Sequence, residues 1–292
     1  MATAKRKASQ DRRRSFGERF DLNTVSLTGP VIAVWGRNGD VFVRIQSPNL
    51  LSLPGPQSYV NIVIPGGMID GDPVTLQKGD LLRVTGYVRQ SNFQESLRLI
   101  LEGAGKRTFF DRSEILQEDR LAWKRIYIKR RNSIVQALKV EVLVAPAESQ
   151  NFVDLEGIVS EAWLYPRDDH EDLFFRIAIY DEHTIETANE GNFGRKKRYA
   201  HYINILLPEQ RPVSSPDERR ISIDIKQRVR VRGELRCTWS VESVHDLLFS
   251  TGRSDIAGLL QRSGAVSDEL KTINTQLETL TVVANALVLY SR

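Results

Sequence analysis

Apolar and polar residues alternate with a period of two over four stretches near the start of the chain, and the pattern returns in its second half. Val25, Leu27, Gly29 and Val31 alternate with Thr24, Ser26 and Thr28. Val41, Val43 and Ile45 alternate with Phe42 and Arg44; Val60, Ile62 and Ile64 with Tyr59 and Asn61; Leu82, Val84 and Val88 with Arg83, Tyr87 and Arg89. Later, Leu173, Phe175 and Ile177 alternate with Phe174 and Arg176, and Ile203, Ile205 and Leu207 with Tyr202 and Asn204. This period places successive side chains on opposite faces of an extended chain, so each stretch predicts a half-buried β-strand. Aliphatic residues take the inner face of strands two to four, and aromatic residues and arginines the outer.

The stretches match pairwise. NTVSLTGPVIAVW (Asn23 to Trp35) aligns with NFVDLEGIVSEAW (Asn151 to Trp163) at an offset of 128. DVFVRI meets DLFFRI at 132, YVNIVIP meets YINILLP at 143, and LLRVTGYVR meets RVRVRGELR at 147. The offset changes only between blocks, as it does when loops lengthen. Shared strand propensity would not keep Asn, Gly, Trp and Arg in register, so the chain reads as an internal repeat.

Between Val31 and Val41 the segment WGRNGD suits a tight turn with Asn38-Gly39 at its tip. A five-stranded Greek-key barrel, the OB-fold, fits each unit, which makes the expected fold all-β: tandem OB-fold barrels with inserted helices. The division expected is a disordered basic arm over 1–20, a first OB-fold domain over 21–148 and a second over 149–292, with VAPAESQN (Val144 to Asn151) as linker. LTVVANALVLY (Leu280 to Tyr290) is the second fifth strand. In the first copy either SLRLILEG (Ser96 to Gly103) or ALKVEVLVA (Ala137 to Ala145) closes the barrel; the latter makes the copies agree, each with a long insertion after strand four. The insertions, around 107–136 and 241–279, contain helix-like patterns such as DELKTINTQLETL (Asp268 to Leu280).

Composition narrows the class. Hydrophobic content of 41% and charged content of 27% are those of a globular chain, and no apolar run reaches a membrane span. The first 20 residues are not a secretory signal, and the single Cys237 rules out an internal disulfide framework and a cysteine zinc cluster. A cytoplasmic, nucleoid-associated location is expected. The pI near 9.2 points to a polyanion, yet residues 1–20 alone hold seven Lys or Arg against two acids. That is +5 of a whole-chain +4, so the body is close to neutral.

The blocks resemble the bacterial single-stranded-DNA-binding protein family in its two-barrel version. The resemblance rests on the opening strands NTVSLTG and NFVDLEG, the aromatic-led third strand HYINILL, the run LQKGDLLRVTGYV, and the closing strand VVANALVLY. It implies four barrels supplied by two chains, hence a homodimer. It also implies stacking roles for Tyr59 and Tyr202 at the head of strand three, and for Phe93 and Trp239 after strand four. The chain departs from the family's pattern in ending NALVLYSR without an acidic tail, and in Pro65 and Pro208, which stand where another aromatic is common.

Unpaired nucleotides expose flat bases and phosphates, so a sequence-tolerant binder needs aromatic platforms and cations. The outward sets supply both. They are Phe42, Arg44, Tyr59, Arg83, Tyr87, Arg89 and Phe93 in the first copy, and Phe174, Arg176, Tyr202, Arg230, Arg232, Arg236 and Trp239 in the second. The insertion DEHTIETANEGNFGRKKRYAH (Asp181 to His201) adds Phe193 with Arg195, Lys196, Lys197 and Arg198 and resembles a DNA-wrapping hairpin; it suggests that the second barrel holds more phosphate. Recurrence of Trp35 and Trp163 after strand one suits barrel closure instead.

No P-loop spacing, paired histidine ligands or calcium loop occurs in the sequence, so no catalytic residue, metal or cofactor is assigned. The expected function is sequence-tolerant binding and protection of single-stranded DNA in replication, recombination or repair. Replication or recombination proteins are further expected partners, and a membrane is not. The alternatives are an OB-fold adaptor in a replication or secretion assembly, and an RNA-binding protein.

Overall fold

The computed structural model describes residues 20–37, 39–47, 59–66, 68, 76–111, 115, 117–166, 171–181, 185–186, 197–198, 200–210, 221–262 and 264–290. Of the expected basic arm over 1–20, all but Phe20 lies outside them. The chain divides into two compact units. One comprises Met1–Arg89, Val135–Arg236 and Val282–Arg292; the other comprises Gln90–Ile134 and Cys237–Thr281.

The first unit holds the barrels. In the first half the strands are β1 (Asn23–Arg37), β2 (Asp40–Gln46), β3 (Tyr59–Ile64), β4 (Leu81–Ser96) and β5 (Tyr127–Leu143). They pair in the order β1-β2-β3-β5-β4, and β4 returns to β1, closing a five-stranded ring. The second half contributes β6 (Gln150–Pro166), β7 (Glu171–Ile179), the two-residue strands β8 (Ile185–Glu186) and β9 (Lys197–Arg198), β10 (His201–Gln210), β11 (Arg228–Ser243) and β12 (Asn274–Leu289). Its ring runs β6-β7-β10-β12-β11, with β11 returning to β6. Both rings are OB-type barrels. Each is filled by inward apolar side chains: Leu27, Val43, Ile45, Ile62 and Leu82 in one, and Val153, Leu155, Phe175, Ile205 and Val231 in the other are fully buried. Each such side chain stabilises the fold by roughly 1.5–3 kcal/mol.

Several devices recur at the repeat offset. Asn23 donates to the Val88 carbonyl (2.8 Å) and accepts from the Val88 N–H (2.9 Å). Asn151 makes the same two bonds to Leu235, each 2.9 Å. These side chains clamp strand one to strand four where the main-chain ladder stops. Gly86 and Gly233 permit strand five to cross strand four, because an added Cβ would stand 2.1 Å from the Gln136 carbonyl oxygen in one copy and 2.1 Å from that of Val283 in the other.

The second unit is a helical lobe built from both insertions, with the adjoining ends of β4, β5, β11 and β12. The first insertion forms α1 (Leu97–Gly103), a 3-10 turn (Phe109–Asp111) and α2 (Gln117–Lys124); the second forms α3 (Val244–Phe249), α4 (Ser254–Arg262) and α5 (Gly264–Thr272). Leu97, Leu101, Phe109 and Trp123 of one insertion and Val244, Leu248, Leu260 and Leu270 of the other share one buried cluster. The repeat continues through these insertions. Ser96 and Ser243 cap α1 and α3 by accepting from the Leu99 and Asp246 N–H groups, and the Leu97 and Val244 N–H groups donate to the Ile126 and Ile273 carbonyls.

The preferred closing strand of the first barrel is the one that forms, and two bounds change. Of the alternative SLRLILEG, residues Leu97–Gly103 form helix α1, because Ser96 caps it and Leu97, Ile100 and Leu101 fall on one buried face. The fifth strand of the first barrel starts at Tyr127, ten residues before Ala137. DELKTINTQLETL is helical only to Thr272; from Asn274 it is β12, since Ile273 takes the Val244 N–H and the chain then pairs as a strand. Among the described residues no helix is long and apolar enough to cross a membrane.

Candidate nucleic-acid interface

The β1–β2 hairpin closes at Arg37↔Asp40, with Gly39 at φ +86° in the left-handed region; Asn38 lies outside the described residues. That register sets Trp35 opposite Phe42, and the rings stack with centroids 5.7 Å apart and planes 17° apart. Two residues along the same face, Arg44 lies opposite Asn61, and its Nε donates to the Asn61 Oδ1 at 2.8 Å. The Arg44 guanidinium sits 4.1 Å from the centre of the Tyr59 ring. Trp35, Phe42, Arg44, Asn61 and Tyr59 therefore form one outward row across β1, β2 and β3.

The second barrel repeats the row. Trp163 stacks on Phe174 at 5.8 Å and 10°, and Tyr165 meets the same phenyl edge-on at 6.2 Å. Arg176 Nε donates to Asn204 Oδ1 at 2.9 Å, and Tyr202 follows on the same face two residues before Asn204. Trp35, Trp163 and Tyr202 are each 40% exposed, which leaves ring surface for a base to cover.

The rows also differ in charge. Each first strand carries an irregularity, between Val31 and Ala33 and between Val159 and Glu161. Beyond it Ala33 stands opposite Arg44, whereas Glu161 stands opposite Arg176 and holds its Nη1 at 3.0 Å. The other arginines of the second barrel are also engaged by acids. Arg230 makes two bonds to Asp154 (2.8 and 2.6 Å), Arg232 a third (3.0 Å), and Arg236 reaches Glu234 (2.6 Å). Burial pushes the Asp154 carboxyl up, but hydrogen bonds and charge from Arg230 and Arg232 outweigh it and hold the group below the usual carboxylate range. Acids thus neutralise the described arginines of the second barrel, while the insertion on which the expectation of more phosphate there rests lies largely outside the described residues.

The remaining candidates are dispersed. Arg83 approaches Glu141 at 3.4 Å. Tyr87 lies against His201 of the second barrel, centroids 6.3 Å apart, and burial raises its hydroxyl pKa. Arg89 is half-buried, and its Nε has no hydrogen-bond partner among the described residues. Phe93 and Trp239 lie within β4 and β11, which run on to Ser96 and Ser243, in segments that belong to the helical lobe; their side chains are outside the described residues. Lys197 and Arg198 form β9, paired with β8, while Phe193, Arg195 and Lys196 lie outside the described residues.

Sequence reasoning missed the exposure of Trp35 and Trp163, which it placed in barrel closure. The signal was present: the sequence Asn38-Gly39 predicts a two-residue turn, and the register such a turn implies sets Trp35 opposite Phe42. A cleft of about 410 Å³, lined by residues including Thr28, Arg83, Gln150, Phe152, Glu234 and Asn285, shares no residue with either row. Among the described residues no group of three or more His, Cys, Asp or Glu is placed to hold a metal ion.

Two solved structures are similar in fold. A deletion mutant of the single-stranded DNA binding protein from Thermus aquaticus matches with a TM-score of 0.51 at 12% identity, over 94% of this chain and 96% of that one. The wild-type protein from the same organism matches with a TM-score of 0.50 at 14% identity, over 94% and 95%. No family model and no curated protein matches the chain. At these identities the likeness is one of fold.

Proposed function

We propose that this chain is a non-catalytic, sequence-tolerant binder of single-stranded DNA. The observation that carries the reading is the doubled row: in each barrel a half-exposed tryptophan stacked on a phenylalanine, beside an arginine fixed by an asparagine and followed by a tyrosine. A base laid on such rings gains roughly 1–3 kcal/mol whatever its identity. The fold of the Thermus aquaticus single-stranded DNA binding protein supports the same reading.

Within it, Trp35, Phe42, Tyr59, Trp163, Phe174 and Tyr202 stack bases, and Arg44 and Arg176 meet phosphate. Arg83, Arg89, Arg230, Arg232 and the hairpin cations Arg195 to Arg198 supply attraction from further out. Residues 21–148 and 149–292 act as two equivalent binding domains, two chains combine as a homodimer, and the protein protects exposed strands in replication, recombination or repair. Fluorescence titration with dT, rU and duplex oligonucleotides at two salt concentrations tests the binding reading. Tight dT binding that weakens with salt is expected; preference for rU makes it an RNA binder, and no binding to any makes it an adaptor. Sedimentation tests the dimer, which a monomer at micromolar concentration would refute.

A further inference from the structure

The two insertions that build the helical lobe differ in charge. Residues 90–134 hold ten Lys or Arg against six Asp or Glu, a net +4; residues 237–281 hold three against six, a net −3. Pairing differs as well. Arg253, Arg262 and Lys271 of the second insertion are bound to Asp255, Asp119 and Asp268. In the first, Lys106, Arg107, Arg125 and Lys129 are exposed and form no ion pair among the described residues.

Two of these cations flank an aromatic ring. Ile126 and Ile128 are 2% and 1% exposed and point into the lobe core, so the alternation turns Tyr127 and Lys129 outward, with Arg125 just before them. Tyr127 is 53% exposed and stacks on no ring among the described residues. Its backbone is pinned: the Arg253 guanidinium donates to the Tyr127 carbonyl at 3.3 Å. Arg125 also lines a cleft of about 380 Å³ together with Arg253 and Arg262. At the repeat offset of 147 the corresponding residues are Thr272, Asn274 and Gln276, so the second insertion lacks the stripe.

We infer that Arg125, Tyr127 and Lys129 form a contact surface on the lobe for single-stranded nucleic acid, distinct from the two barrel rows. The inference rests on the proposed function and extends it. A ring with one cation two strand residues on, about 6.6 Å away at Lys129, and another at Arg125 in the turn just before the strand offers one base platform and two phosphate partners. A duplex buries its bases and leaves the ring unused, so the stripe selects single strands. Acids hold Arg176, Arg230, Arg232 and Arg236 and weaken the phosphate attraction of the second barrel, which the cations of the lobe would supplement.

The test compares the full-length wild-type chain with an Arg125→Ala/Tyr127→Ala/Lys129→Ala variant in dT titrations across a salt series. A thermal melt checks that the surface variant stays folded. Two lost phosphate contacts lower the slope of log affinity against log salt by about 1.4, and loss of the ring weakens binding further, to at least about tenfold overall. In parallel, oligo-dT carrying 5-iodouracil is photocrosslinked to the wild-type chain, and the adduct is expected at Tyr127. An unchanged slope, or adducts confined to the barrels, overturns the lobe surface while leaving the barrel reading standing. A wild-type chain that binds no dT overturns both.

Discussion

Val25 of β1 pairs with Val153 of β6, the residue that holds its own position in the second repeat. Around that point the register is symmetric: Asn23 faces Leu155 and Leu27 faces Asn151. The joint between the barrels is thus a self-complementary strand pair, the arrangement expected of a two-fold contact between identical units. The symmetry is broken by side chains. Thr24 and Phe152 hold equivalent positions, as do Ser26 and Asp154, and only Asp154 gathers two arginines.

The asparagine clamps should carry comparable weight in the two barrels. Asn23→Ala or Asn151→Ala orphans a buried N–H and a buried carbonyl, at a cost of about 2–4 kcal/mol. Each clamp makes a third bond, Asn23 donating to the Asp181 carboxylate at 2.5 Å and Asn151 to the Ser47 hydroxyl, so Asn23→Ala should cost slightly more because its partner is ionised. Urea unfolding of both variants measures this, and a change under 1 kcal/mol (roughly the mean for an ordinary substitution) would contradict it.

Base stacking on the rows predicts that Trp35→Ala and Trp163→Ala each weaken dT binding by about 1–3 kcal/mol, near tenfold for every 1.4. Stability should fall by about 0.5–1.5 kcal/mol for the lost ring pair, plus a further loss for the part of each ring that is buried. Oligonucleotide titration beside a thermal melt separates the two effects.

Glu161 is what distinguishes Arg176 from Arg44. Replacing it with the residue found in the first barrel, Glu161→Ala, removes the 3.0 Å ion pair and should strengthen dT binding. The exposed pair is worth no more than about 1 kcal/mol, so the gain should not exceed about fivefold. Titration at low salt is the measurement, and weaker binding would show that Glu161 positions the arginine productively.

Asp154 makes the protein acid-sensitive. Its folded pKa lies below the unfolded value near 3.8, so the unfolded chain takes up the proton first. The stabilisation is complete above the unfolded value and is lost as pH falls from there through the folded one. Asp154→Asn should flatten stability across that window and lower it at neutral pH. Denaturant melts from pH 7 to pH 3 test the sign.

Lys226 adopts φ +71°, at the position where the first repeat has Gly79 at φ +100°. Left-handed backbone is strained for a side chain and easy for glycine. Lys226→Gly should therefore raise stability by up to about 1 kcal/mol, seen as an upward shift in Tm.

Much of the fold was legible in the residue order. The period of two set the strands and their inner faces, and the constant offsets between blocks set the equivalence of the barrels. The row Phe42, Arg44, Tyr59 and its counterpart could be read because strand faces follow from alternation alone. The repeat's continuation through the insertions was hidden, since its markers are two serine caps and two carbonyls rather than a run of matched residues.

What the sequence could not decide was partnership across distance. Alternation tells which way a side chain points, not what meets it there. That Asp154 binds Arg230 and Arg232, and that the two insertions share one core, depend on segments far apart in the chain. Local dihedral preference fixes a strand within a few residues. Hydrogen-bond pairing and close packing, which require the whole chain to have closed on itself, fix everything those strands touch.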